Sequence, residues 1–263
     1  MDLGIEGKRA LVMGGSYGMG NGIARALAAE GVSIYLTARS GDLLAEQAKN
    51  ISKEFGVQVE FGTCDLLKSG ELETMLDDAH SKFGGIDIQF NNCGGPPRLL
   101  PSEADEKLWH EWFDVIVMAA IKATGYALPG MQEQGWGRVL TMTSSNIYNA
   151  SVVNVLSSSL RMALVGWSKA LCKEVAKDGI TVNCLVPGRI YTDRVRAGDE
   201  VRGKHLGISA DEARDQMVKN APMGRDGKIE EMGALAAMLC GMPAGYINGS
   251  VLRADGGRVG VNF

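Results

Sequence analysis

The sequence predicts one doubly wound α/β domain built on a parallel sheet of about seven strands. Three observations predict it. Short apolar strands alternate with amphipathic helices along the whole chain, which implies right-handed crossovers and helices on both faces of the sheet. The first strand runs straight into a glycine-rich turn and a helix, KRALVMGGSYGMGNG at positions 8–22. The unusual residues gather where strands end, and open α/β sheets bind ligands beyond those carboxyl ends.

Each element has its own signal. Ala10–Met13 is uniformly apolar, as a strand buried on both faces must be. Gly14, Gly18 and Gly20 remove side chains that would block a pyrophosphate, and the helix Gly18–Glu30 aims its free N–H groups and positive dipole end there. Ser33–Thr37 is the second strand, and a helix over Asp42–Phe55 precedes the third, Gln58–Gly62. A polar helix near Gly70–Phe83 leads to Ile86–Asn91, and one long helix follows from about Asp105 to Glu133. Arg138–Thr143 is the fifth strand, Val155–Lys177 a helix with apolar residues at helical spacing, and Ile180–Val186 the sixth strand. Glu230–Met242 is a late helix and Ser250–Ala254 the last strand. No linker, repeat or second domain interrupts residues 1–263.

The segment Thr192–Lys228 is an insertion between strand and helix and reads as a substrate lid. Ser209 with Glu212 three residues on starts a short helix, Ala210–Lys219. Apolar residues such as Val195, Leu206, Ile208 and Met217 suit a medium-sized, partly apolar substrate. Arg194, Arg196, Arg202 and Lys204 could meet a carboxylate or an acyl carrier, although a solvated face is the expectation.

Composition narrows the function classes. The chain has 263 residues, 45% hydrophobic and 22% charged, with a net charge of −4. That suits one large-cored domain and gives no reason to expect nucleic-acid or anionic-membrane partners. No apolar run is long enough to span a bilayer, and MDLGIEGKRA is no signal peptide, so a cytoplasmic protein is expected. Five scattered cysteines read as reduced, buried residues, and three distant histidines have no ligand spacing, so no metal site is expected. Apolar residues on more than one face of the two long helices, including Trp109, Trp112, Leu164, Val165 and Trp167, suggest subunit contacts.

In order, GGSYGMG, CDL, NNCG, TSS, VPGRIYT and ADGG resemble the motifs of the short-chain dehydrogenase/reductase family over essentially the whole chain. The resemblance implies a Rossmann fold, a nicotinamide cofactor and a homotetramer, or else a homodimer. The loop residues Gly14, Ser16, Tyr17, Gly18, Met19 and Gly20 would take the pyrophosphate, with Met13 standing where the family usually has threonine. Asp65 and Leu66 would contact adenine, and Asn92, Cys93 and Gly94 the nicotinamide ribose. Pro187, Gly188, Ile190 and Thr192 fall in the stretch that meets the carboxamide. The phosphate preference follows from the residues themselves. The second strand ends Leu36-Thr37-Ala38-Arg39-Ser40. No acid stands there to repel a 2′-phosphate, and the Arg39 guanidinium could hold one, which favours NADP(H) over NAD(H). Tyr17 stands where NADP-using members often carry a second cation.

The family's Tyr-x-x-x-Lys pair falls here on Ser157 and Arg161, and its helix asparagine on Ile116. SSSLR and NCGGPP resemble an atypical branch with SNALR in place of the pair and a NAGGPP loop. Ser144 lies at the family's usual separation from Ser157, with Ser145 the register alternative. A serine is too weak an acid to replace the tyrosine, and a guanidinium holds its charge rather than relaying protons. Ser144 and Ser157 could donate to the reacting oxygen, Arg161 could hold the ribose, and Tyr148 or Tyr191 could supply the proton unless it is merely pocket wall. The reading is an NADP(H)-dependent oxidoreductase acting on a small carbonyl or alcohol. A non-redox lyase, hydratase or dehalogenase, or a silent nucleotide-binding protein, stands as the alternative. Halohydrin dehalogenases also carry arginine for lysine, but they keep the tyrosine and lose the glycine loop, opposite to this chain.

Overall fold

The computed structural model describes residues 2–219 and 221–260. Seven strands form one parallel sheet: β1 (Arg9–Met13), β2 (Ser33–Ala38), β3 (Val59–Thr63), β4 (Ile88–Asn91), β5 (Gly137–Met142), β6 (Ile180–Pro187) and β7 (Val251–Ala254). Their spatial order is β3-β2-β1-β4-β5-β6-β7. The order reverses between β1 and β4, which opens a crevice beyond their carboxyl ends. Register lines that crevice up: Met13 pairs with Thr37, and Val12 with Phe90. The turns after β1, β2 and β4 therefore meet in one place.

Helices α1 (Gly18–Ala29), α2 (Gly41–Phe55) and α3 (Glu71–Phe83) follow the first three strands. One apolar layer packs Ile23, Leu27, Leu44, Ile51, Met232 and Leu239 on Val12, Ile34, Leu36 and Phe90. The opposite layer packs Leu76, Ala123, Met131 and Val175 on Leu11, Tyr35, Val139 and Val182. Buried Asn91 donates to Thr124 at 2.9 Å and to Thr141 at 3.3 Å, and it accepts from Gln89 at 3.0 Å. Its polar side chain therefore finds partners on two neighbouring elements inside the core.

Two stretches differ from the sequence reading. The expected helix Asp105–Glu133 is divided into α4 (Glu106–Phe113), a π-helical turn over Asp114–Met118, and α5 (Ala119–Gln134). Such turns insert one residue into a helix and often stand at functional sites. After α6 (Val155–Val175), the lid segment holds α7 (Asp193–Leu206) as well as the expected α8 (Ala210–Lys219), and α9 (Ile229–Cys240) leads to β7. The sequence DRVRAGDEVRGKHL has almost no apolar stripe. Caps mark the ends of α7 instead: Thr192 Oγ1 accepts from Val195 N–H at 3.3 Å, and Gly207 ends the helix in the left-handed region at φ 69°.

The tryptophans assigned to subunit contacts have work inside the protomer. Trp109, Trp112 and Trp167 pack on a cluster of Val115, Ile116, Leu156, Leu160 and Leu164. The five cysteines are unpaired, and among the described residues no group of three or more potential ligands could hold a metal. Among those residues no helix is long and apolar enough to cross a membrane.

Candidate active site

A cleft of about 590 Å³ occupies the crevice. Its floor is the turn between β1 and α1. Gly14 and Gly18 take φ 67° and 61°, a region that costs other residues free energy. A Cβ on Gly20 would overlap the carbonyl of Gly14, so the first turn of α1 lies flat on the loop. Tyr17 precedes α1 in extended backbone without capping it by its side chain, which leaves the first N–H groups to an external anion. Asn92 Nδ2 donates to the Met13 carbonyl at 3.3 Å and ties the β4 loop to the β1 turn.

Thirteen of the residues singled out in the sequence line this cleft: Gly14, Ser16, Tyr17, Gly18, Met19 and Gly20, with Arg39, Asp65, Leu66, Asn92, Cys93, Gly94 and Thr192. Arg39 is exposed at the end of β2. Asp65 sits in a tight turn: its Oδ1 accepts from Leu67 N–H at 3.2 Å, and its own N–H donates to Glu71 at 2.7 Å. Thr192 faces the glycine turn, its Cγ2 3.7 Å from where a Cβ on Gly18 would stand. Among the described residues Asp65 is the sole carboxylate of the lining, against the guanidinium groups of Arg39 and Arg194.

A second group surrounds the end of β5. Arg161 is buried, only 6% exposed, and its Nη1 donates to the Met142 carbonyl at 2.8 Å. It also reaches Cys93 of the cleft wall. Burial pushes the Cys93 thiol up, and the nearby Arg161 and Arg194 charges do not overcome that effect, so the thiol stays neutral at pH 7. Ser144 Oγ accepts from Asn146 N–H at 3.2 Å, which leaves its own proton free to donate elsewhere. Ser157 lies one turn before Arg161 on α6 and is half-buried. Its neighbour Ser158 turns back to donate to the Asn154 carbonyl at 3.0 Å. Ser144 and Ser157 do not line the cleft itself. The loop after β4 pairs through Leu99 N–H to the Val153 carbonyl at 3.0 Å, just ahead of α6.

Other expected residues stand apart. Tyr148 packs on a cluster of Ile147, Val165, Cys184 and Val186, with Arg253 lying 5.5 Å over its ring. Tyr191 lies under Arg214 of α8 at 4.3 Å. Pro187 and Ile190 are buried, and Gly188 packs so closely that a Cβ would come within 2.5 Å of Asp255 Cα. None of these five lines the cleft. Ile116, at the family's asparagine position, is buried inside the π turn.

The sequence reading missed Gly95, Trp112 and Val115 as cleft residues, and it favoured a solvated position for Arg194, which lines the cleft. Gly95 was visible as the second glycine of NCGGPP, whereas the π turn that brings Val115 to the wall left no pattern. The segment after β6 is pinned by a buried ionic cluster: Arg189 pairs with Asp199 and, at 2.7 Å, with Asp226, which also accepts from Arg214 at 2.9 Å.

A parallel sheet with its switch point at a glycine-floored cleft defines a dinucleotide-binding α/β protein of the Rossmann type. The comparisons take the assignment further. A family model described as Enoyl-(Acyl carrier protein) reductase matches residues 14–258. D-beta-hydroxybutyrate dehydrogenase of Cupriavidus necator is 33% identical over 256 residues, covering 97% of this chain and 99% of that protein. A 3-oxoacyl-(acyl-carrier-protein) reductase of Aquifex aeolicus is 29% identical over 98% of this chain and 99% of its own. The crystal structure of L-sorbose reductase from Gluconobacter frateurii, complexed with NADPH and L-sorbose, matches with a TM-score of 0.95 and 32% identity over 100% of both chains. The chain belongs to the short-chain dehydrogenase/reductase family and is an oxidoreductase.

Proposed function

We propose that the protein is an NADP(H)-dependent oxidoreductase that interconverts a ketone or aldehyde and an alcohol, using an atypical active site. The observation that carries this reading is the convergence of the glycine turn, Arg39 and the Asn92–Gly94 wall on one cleft, next to the Ser144–Arg161 group. The relatives named above include reductases and a dehydrogenase, and the L-sorbose reductase structure holds NADPH. The cradle fits such a cofactor: the uncapped start of α1 meets an anion, and Arg39 adds a cation at the end of β2 without a competing acid. The bound cofactor would supply the hydride.

The chain's own residues would orient and stabilise. Arg161, fixed to the end of β5, carries a permanent charge beside the nicotinamide-side wall and holds the ribose. Ser144, with its lone pair engaged by Asn146, donates to the oxygen that gains charge, and Ser157 assists. The apolar packing of Tyr148 and its absence from the cleft support a wall role, with the proton delivered by solvent. The substrate is a small molecule, medium-sized and partly apolar, under a lid at residues 192–228 of a single domain. We read the protein as cytoplasmic and as a homotetramer or homodimer; exposed Met162 and Phe113 on the α4–α6 side support a subunit contact.

The test follows NADPH absorbance with a panel of ketones and aldehydes. Turnover is expected, and Ser144→Ala should lower it about 100- to 1000-fold while leaving NADPH affinity intact. Cofactor binding without turnover on any carbonyl would favour the silent nucleotide-binding protein.

A further inference from the structure

Arg194 brings the lid against the far wall of the cleft. Arg194 stands in the first turn of α7, and its guanidinium lies on the backbone of Gly95 in the loop after β4. A Cβ on Gly95 would come within 2.5 Å of Nη1 and 2.7 Å of Cζ and would overlap Nη2. Any side chain at position 95 would therefore push the guanidinium off this seat.

Charge makes this placement informative. Arg189, Arg196, Arg214 and Arg225, in the same lid region, each pair with a carboxylate. Arg194 pairs with none among the described residues, although it lines the cleft. A guanidinium prefers a planar, bidentate oxyanion to an unpaired position. Three potential anion partners can be ordered by location. The pyrophosphate is served by the glycine turn and the start of α1. A 2′-phosphate falls to Arg39, at the β2 end. Arg194 is at the other end, close enough to Cys93 for its charge to act on that thiol, next to Trp112 and Val115.

We propose that Arg194, seated on Gly95, is the specificity-determining receptor for a carboxylate on the substrate, so that the enzyme takes oxo acids and hydroxy acids rather than neutral ketones and alcohols. This rests on the oxidoreductase reading only for its turnover arm. Trp112 and Val115 supply the apolar wall for the short chain, and the guanidinium closes over its charged end. Because Arg194 belongs to the lid, an anionic substrate also joins lid to wall.

The probes are acetoacetate and pyruvate, each beside its methyl ester. In the wild type each acid should exceed its ester in kcat/KM by about 10- to 100-fold, the range of one charge-assisted contact. Arg194→Gln should abolish that ratio with NADPH affinity unchanged, and Arg194→Lys should restore part of it. Calorimetric binding of both acids to NADP-loaded protein reads the same receptor without turnover. Acid binding that depends on Arg194 without turnover on any carbonyl would uphold the receptor and refute the oxidoreductase reading. Turnover with no preference for either acid over its ester would overturn the receptor alone. A fall in NADPH affinity in Arg194→Gln with the acid-to-ester ratio intact would also overturn it, assigning the guanidinium to the cofactor's pyrophosphate.

Discussion

Arg39→Ala is the perturbation that isolates cofactor preference. The side chain is exposed at the end of β2, with no carboxylate partner among the described residues and one acid, Asp65, elsewhere in the lining. A hydrogen bond to a charged group contributes about 1.5–3 kcal/mol, and exposure holds this one to about 1.5–2 kcal/mol. NADPH affinity should therefore fall about 10- to 30-fold, at about 1.4 kcal/mol per tenfold, while NADH affinity stays the same. Trp112 lines the cleft, so its fluorescence reports both titrations. Arg39→Asp should go further and invert the preference, because a carboxylate accepts from the ribose hydroxyls and repels the phosphate. Raising salt should shrink the wild-type preference, since the Debye length is about 8 Å at physiological ionic strength. Tighter NADH binding by the wild type, or equal losses for both cofactors in Arg39→Ala, would refute the reasoning.

Three further outcomes are expected. Asp87 accepts from Arg9 N–H at 2.9 Å, from Arg9 Nε at 2.8 Å and Nη2 at 2.7 Å, and from Gln134 at 2.7 Å. Burial pushes its carboxyl up, but hydrogen bonds from Arg9 and Gln134 outweigh that and hold it below the usual carboxylate range. Its contribution is thus present above about pH 4, the unfolded value, and is lost as pH falls through the lower folded value. Asp87→Asn should cost about 2–3 kcal/mol at pH 7, lowering Tm by roughly 5–10 °C, with the gap to wild type narrowing in acid; an equal gap at pH 7 and pH 3 would contradict this. Tyr148→Phe should leave turnover and its pH profile unchanged, and a collapse in rate would make Tyr148 the proton donor after all. Light scattering at micromolar concentration should give a dimer or tetramer; a monomer would remove the subunit contact.

What was legible in the sequence follows from how each element is stabilised. Strands buried on both faces are mostly apolar, so β1, β5 and β6 stand out in the sequence despite buried Arg138, Thr141 and Asn183. The glycine turn is equally visible, because left-handed backbone and close approach demand glycine at named positions. Helix α7 was not visible: it is held by Thr192, Gly207 and the Arg189–Asp199 contact rather than by an apolar stripe. The break at Asp114–Met118 was hidden for a related reason. After Asp114 the turn is uniformly apolar (Val115–Met118), and a π turn shifts which side chain faces the core without altering composition.

The site divides along the same line. Residues tied to backbone constraints, such as Gly14, Gly20 and Asn92, reach the cleft as read, because strand register fixes where their loops meet. Side chains assigned by motif position alone fare differently. Ile190 occupies its expected place in the chain, yet its side chain is buried in the core, where only its backbone could face a ligand. Tyr148 directly follows the turn Ser145–Ile147, and its ring packs on the cluster of Ile147, Val165 and Val186. Arg194 shows the converse. Arg194, Arg196 and Arg202 share a polar helix with no periodic signal to separate them. What separates Arg194 is a glycine 99 positions earlier, whose missing side chain makes room for the guanidinium. Such a pairing exists only once the lid folds back on the β4 loop, so its chemistry is encoded in two distant residues neither of which signals it alone.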